Sequence, residues 1–285
     1  MIRIHILGSA AGGGLPQWNC ACANCVAARV GKIAPQTQSS IAISGDSEGV
    51  QRWFLINASP DLPRQIESTR QLQPGRPADA GPRNSPIAGV LLTNADIDHA
   101  LGLLLLRQQA TPVVVYAADE TQKALAWIHG ILAPFCGIEW RKISADFQSL
   151  SGSIAFRAIA LHGSVAFQFR DDTSGATALL APSVGEVTDE LRDAVHASDL
   201  IIFDGTFWSD GELALVRPGA RTARQMNHLP VSDGSLDFLR ESSMRRKIYT
   251  HINNTNPILM PGTRERAQVE QAGIEIARDG LEIVL

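Results

Sequence analysis

Four times in this chain a short strand-like run stops at a side chain able to bind a metal or move a proton. Ile87 to Leu92 runs into Thr93-Asn-Ala-Asp-Ile-Asp-His99, Ile154 to Leu161 stops at His162, Leu200 to Phe203 at Asp204, and Lys247 to Thr250 at His251. Apolar runs this short, bounded by polar turns, read as strands. Their alternation with helical stretches is the pattern of an α/β layer, and in such layers sites gather where strands end.

The remaining strands are expected over Ile2 to Leu7, Ser40 to Ser44, Trp53 to Ile56, Pro112 to Tyr116, Thr177 to Ala181, Ile274 to Ala277 and Leu281 to Val284. Helices are expected over Ala100 to Gln109, Glu120 to Leu132, Val187 to His196 and Arg264 to Ala272. Gly75 to Pro86, rich in Pro, Gly, Arg and Asn, reads as a surface loop bordering a cleft, with Asp61 near its mouth. No fixed-period repeat is present, and the 285 residues read as one domain, 1–285.

A hydrophobic fraction of 45% against 19% charged residues gives ample material for a core. The net charge of −4 has the wrong sign for phosphate neutralisation, so nucleic acid is excluded as a partner. Leu101 to Leu106 is far shorter than the ~20 apolar residues a membrane span requires. The first residues lack the charged start and cleavage site of a signal peptide, which points to the cytoplasm. Of four cysteines, Cys20, Cys22 and Cys25 are bunched and Cys136 stands apart, unlike a disulfide framework; in a reducing compartment such a bunch points to metal.

Two constellations carry chemistry. In Cys20-Ala-Cys22-Ala-Asn-Cys25 three thiolates can converge on one tetrahedral ion, and three soft ligands favour a structural Zn2+. Its fourth ligand stays open among His228, Asn254, a water and a neighbouring subunit. In Asn94-Ala-Asp96-Ile-Asp98-His99 two carboxylates, an amide and an imidazole crowd one turn, and His162, Asp204 and His251 can complete a metal site there. His228, in a loop, reads equally as a catalytic acid–base group or as a packing residue. The glycine run Gly8 to Gly14 lacks the Lys and Ser or Thr of a phosphate loop.

Asn94-Ala-Asp96-Ile-Asp98-His99 resembles the HxHxDH signature of the metallo-β-lactamase superfamily with its first two histidines replaced, the form it takes in the PqqB family. Gly8 to Cys20, Phe203-Asp-Gly-Thr-Phe-Trp208, Met226-Asn-His-Leu-Pro230 and His251-Ile-Asn-Asn-Thr-Asn-Pro257 resemble that family too, across nearly the whole chain. The resemblance implies a four-layer αββα sandwich with its site at one sheet edge. It places Asp98, His99, His162 and His251 at the metal site, with Asp96 a further partner. It leaves Asp204 either as a carboxylate ligand or displaced by a position near Pro182-Ser183.

Loss of two imidazoles implies one ion rather than the hydroxide-bridged pair of a hydrolase. Two histidines and one carboxylate form the donor set of non-heme iron, so Fe2+ is expected, with Mn2+ or Zn2+ open. The implied role is synthesis of pyrroloquinoline quinone (PQQ) by oxygen-dependent hydroxylation of a small tyrosine-derived precursor. Carriage of the cofactor or its precursor, and phosphodiesterase-like hydrolysis, are the alternatives. A homodimer is the expected assembly, the cysteine loop offering a partner surface.

Overall fold

The computed structural model describes residues 1–45, 51–75 and 81–285. In chain order its strands are β1 (Ile2–Gly8), β2 (Ser40–Gly45), β3 (Trp53–Ile56), β4 (Ile87–Leu91), β5 (Val113–Tyr116), β6 (Ile138–Arg141), β7 (Gln148–Ser151), β8 (Ile154–Leu161), β9 (Ser164–Asp171), β10 (Thr177–Ala181), β11 (Leu200–Asp204), β12 (Arg246–Thr250), β13 (Ile274–Ile276) and β14 (Leu281–Val284). They form two seven-stranded mixed sheets, ordered β14-β1-β2-β3-β4-β5-β6 and β13-β12-β11-β10-β9-β8-β7.

Side chains alternate across each strand, and here both faces are covered. Ile2, Ile4 and Ile6 of β1 point between the sheets, where they join Ile41, Phe54, Phe156, Phe167, Phe169 and Ile202. The opposite face of the first sheet, with Leu7, Trp53 and Leu55, packs on Ile128 and Leu132 of helix Ala126–Leu132. The outer face of the second sheet, with Leu179 and Ile201, packs on Leu191 and Val195 of helix Asp189–His196. The result is the αββα sandwich, one metallo-β-lactamase-type fold. Strands buried on both faces read as continuous apolar runs, which explains why so many were visible in the sequence.

Several elements depart from expectation. Ala100 to Gln109 is not one helix: a single α-turn, Ile97–Ala100, passes into a 3₁₀ segment, Leu101–Leu106. Gly102 is the reason. Its N–H donates to Ala58 O at 2.8 Å, outside any helix ladder, and a Cβ there would lie 2.3 Å from Ser59 O. Strand β9, which carries the polar Gln168 and Arg170, was not anticipated, nor were β6 and β7. The helix expected from Val187 starts at Asp189, because Thr188 Oγ1 caps it by accepting from Leu191 N at 3.1 Å.

Of the expected Gly75-to-Pro86 loop, residues 76–80 lie outside the described residues. Asp61 is not at the mouth of the cavity described below: its carboxylate accepts from Gln38 N and Nε2 at 2.9 and 3.0 Å. Among the described residues no helix is long and apolar enough to cross a membrane.

Candidate metal centre

Beyond β4 the chain turns on the Asn94 amide. Its Oδ1 accepts from Asp96 N at 3.1 Å while its Nδ2 donates to Asp96 Oδ2 at 2.7 Å, the local bonding that makes Asn a turn residue. This turn delivers Asp98 and the buried His99. His99 Nδ1 lies 2.6 Å from Asn94 Oδ1. Because that oxygen can only accept, Nδ1 carries the proton and Nε2 keeps its lone pair.

His251 follows β12 with a φ of 55°, a left-handed conformation rare outside glycine. Its Nδ1 meets Thr206 Oγ1 at 2.8 Å. The hydroxyl of Thr206 donates to Asp204 Oδ1, 2.6 Å away, or to the His251 carbonyl at 2.9 Å, so Thr206 accepts from His251 Nδ1 and Nε2 is the nitrogen that His251 turns toward His99 and Asp98. The two Nε2 atoms stand 3.0 Å apart, and Asp98 Oδ2 lies 3.2 Å from His251 Nε2 and 3.8 Å from His99 Nε2.

Two imidazole nitrogens and a carboxylate thus converge on one point, where a shared cation would sit. Ligands bound at ~2.1 Å and at right angles stand ~3.0 Å apart, so the donor set fits a divalent ion. Burial pushes His99 down to about 4, against the pull of Asp98, and so keeps it a neutral ligand.

Asp204 ends β11 fully buried and accepts from four donors: Val184 N at 2.8 Å, Thr206 N at 2.9 Å, Thr206 Oγ1, and His228 Nδ1 at 2.6 Å. Burial opposes the His228 imidazolium, yet the Asp204 charge outweighs it and raises the His228 pKa. The His228 ring stacks on that of His251, centroids 5.3 Å apart. Asp204, His228 and His251 therefore form a second group of donor atoms, sharing His251 with the first.

The remaining residues fall elsewhere. His162 sits exposed in the turn between β8 and β9, where its carbonyl accepts from Asn227 Nδ2, and among the described residues it joins neither donor group. Asp96 lines the adjoining cavity but is occupied by Asn94. Thr206 and Asn94, which orient the two histidines, were not singled out as such in the sequence. Their signal was only proximity, two residues past a strand end in one case and the replaced signature position in the other.

Cys20, Cys22 and Cys25 bring their sulfurs within 4.8 Å of one another. Asn254 Nδ2 lies 3.2, 3.5 and 3.2 Å from the three, and a half-turn of the amide presents Oδ1 to the same point. Asn24 Nδ2 pins this segment by donating to Asn254 O and Asn256 O at 2.9 and 2.8 Å. Of the in-chain candidates for a fourth ligand, Asn254 is at the sulfurs, whereas His228 belongs to the other cluster. A cavity of about 860 Å³ joins both clusters, lined by Gly12, Cys20, Cys22, Asp98, His228 and His251 among others.

Residues 52–252 match the beta-lactamase superfamily domain, and with the two sheets and the strand-end cluster the molecule is a member of that superfamily. A diphosphatase from the PhnP family shares the fold at a TM-score of 0.73 and 18% identity over 100% of this chain and 98% of its own. Coenzyme PQQ synthesis protein B of Cupriavidus taiwanensis is 38% identical over the full length of both chains, and that of Rhizobium meliloti 39% over 100% of this chain and 98% of its own. The crystal structure of Zn2+-bound PqqB from Methylobacterium extorquens matches with a TM-score of 0.87 at 34% identity, covering 99% of this chain and 100% of that one. The chain belongs to the PqqB family.

Proposed function

We propose that this chain acts in the synthesis of pyrroloquinoline quinone, hydroxylating the tyrosine-derived ring of a small Glu-Tyr-derived precursor at one divalent ion held by Asp98, His99 and His251. The observation that carries the reading is the pair of Nε2 atoms 3.0 Å apart beside a carboxylate. Two histidines and one carboxylate leave positions open for further ligands. Fe2+ is therefore the ion we assign, with Mn2+ or Zn2+ as other occupants. Once bound, the ion supplies the redox chemistry that couples oxygen to the ring. Inserting one oxygen atom also takes two electrons and two protons, with water as the second product, so an external reductant is required.

The chain's own groups hold and move protons. Asn94 and Thr206 fix the two histidine tautomers, as groups behind metal ligands commonly do. Asp204 holds the Nδ1 proton of His228, which leaves His228 Nε2 as the atom that exchanges protons with the cavity. A second ion beside the first, as in a two-metal hydrolase, is disfavoured because Asn94 spends its amide on His99 and Asp96. The cysteine site, with Asn254 as fourth donor, takes a structural Zn2+. Its free thiols suit a reducing cytoplasm.

The test is anaerobic protein loaded with Fe2+, given the tyrosine-derived precursor, ascorbate and then oxygen. Oxygen uptake with a product one oxygen atom heavier is the expected result. Neither uptake nor product overturns the reading, and binding without chemical change favours a carrier.

A further inference from the structure

The cavity beside His251 carries two carboxylates on its wall, Asp96 and Asp98, the imidazoles of His228 and His251, and one guanidinium, that of Arg217. Other arginines nearby are committed. Arg224 pairs with Asp233 at 3.0 Å, and Arg29 donates to the carbonyls of Cys20 and Gln17. Arg217 has no side-chain hydrogen bond or ion pair among the described residues. Its backbone is nevertheless fixed, because Arg217 N donates to Leu213 O and Ala220 N donates to Arg217 O, both at 3.0 Å. The same stretch of chain otherwise shows the cavity an apolar wall of Phe207, Leu213, Val216 and Met226.

A divalent ion at the centre would offset the charges of Asp96 and Asp98. That leaves the guanidinium without a counter-charge until an anion arrives, and its planar fork suits a carboxylate. We propose that Arg217 anchors a substrate carboxylate, so that the cavity selects molecules with a metal-binding aromatic head, an apolar middle and a carboxylate tail. The inference rests on the metal-centre reading above and adds to it the residue that sets substrate polarity.

Dihydrocaffeate and 4-ethylcatechol share a metal-binding head and differ by the carboxylate. With the metal-loaded full chain, calorimetry should show dihydrocaffeate binding about tenfold tighter, the scale of one well-made charged hydrogen-bond pair. Arg217 is exposed, so Arg217→Ala leaves the fold intact. It should erase that preference while the 4-ethylcatechol Kd stays unchanged, and Arg217→Lys should retain part of it. A preference that survives Arg217→Ala, or equal binding of both catechols to the native chain, overturns the anchor alone. Binding of neither overturns the anchor and the metal centre together.

Discussion

The Nε2 atoms of His99 and His251 face each other at 3.0 Å, although 152 residues separate them in the chain. Each ring is turned that way by a partner on its far side, Asn94 for His99 and Thr206 for His251. A His99→Ala, His251→Ala double variant should therefore lose about one ion per chain on elemental analysis while keeping the cysteine-bound one, since ligand sets at separate sites bind separately. Equal metal content in variant and native protein would show that this cluster holds no ion.

Thr206→Val keeps the volume but removes both the acceptor for His251 Nδ1 and the donor to Asp204. Loss of such a supporting partner weakens metal binding by about 10–100-fold, measurable by competition with a chelating dye. Thr206→Ser should restore most of it. If Val and Ser behave alike, the hydroxyl does not set the His251 tautomer.

Asn254→Ala tests the fourth donor at the sulfurs. Zinc release to a chelator should speed up by roughly tenfold or more, the usual scale for a lost ligand or near partner. Asn254→His supplies a stronger donor and should slow release. Unchanged release in the alanine variant would assign the fourth position to another group.

Glu212 gives a pH dependence. It is buried, accepting from Trp208 N and Thr255 Oγ1, and burial pushes its carboxyl up to about 7 against those hydrogen bonds. The folded state thus keeps a proton that the unfolded chain releases at about pH 4.5. This contribution is fully present below about pH 4.5 and is lost as pH rises through about 7, a swing on the order of 3 kcal/mol. Glu212→Gln, which mimics the protonated acid, should match the native Tm at pH 5 and exceed it at pH 8. Parallel Tm curves over that range would count against a raised pKa.

Gly102→Ala should lower the denaturant midpoint by the equivalent of about 2–3 kcal/mol, the cost of overpacking. Its Cβ would meet the backbone oxygens of Ser59 and Ala58 at 2.3 and 2.6 Å, and backbone yields less readily than a side chain. Ala58 N also donates to His99 O at 2.7 Å, so metal retention should fall with stability. A variant as stable as the native protein would mean that Leu101–Leu106 can shift freely.

Much of the architecture was legible in the residues because its cause is local. Ile2, Ile4 and Ile6 alternate, β10 and β11 are apolar from Ala178 to Ala181 and from Leu200 to Phe203, and three cysteines in six positions announce themselves wherever the chain places them. Strand β9 was not legible. Its buried Gln168 breaks the apolar pattern, and its Nε2 is satisfied only by Ala194 O and Ser198 Oγ, 26 and 30 residues away.

The same division runs through the site. The sequence by itself determined which residues have ligating chemistry and that they sit at strand ends. It did not determine side-chain direction, so His162 and His251 looked equivalent, yet one lies in an exposed hairpin turn and the other is rotated inward by a positive φ. Nor did it show that Asp204 would be surrounded by four donors or that His228 would arrive beside it from a separate loop. Those outcomes belong to the tertiary structure, because a carboxylate's partners and a histidine's tautomer are set by whatever packs against them, and that is fixed only when distant strands come into register.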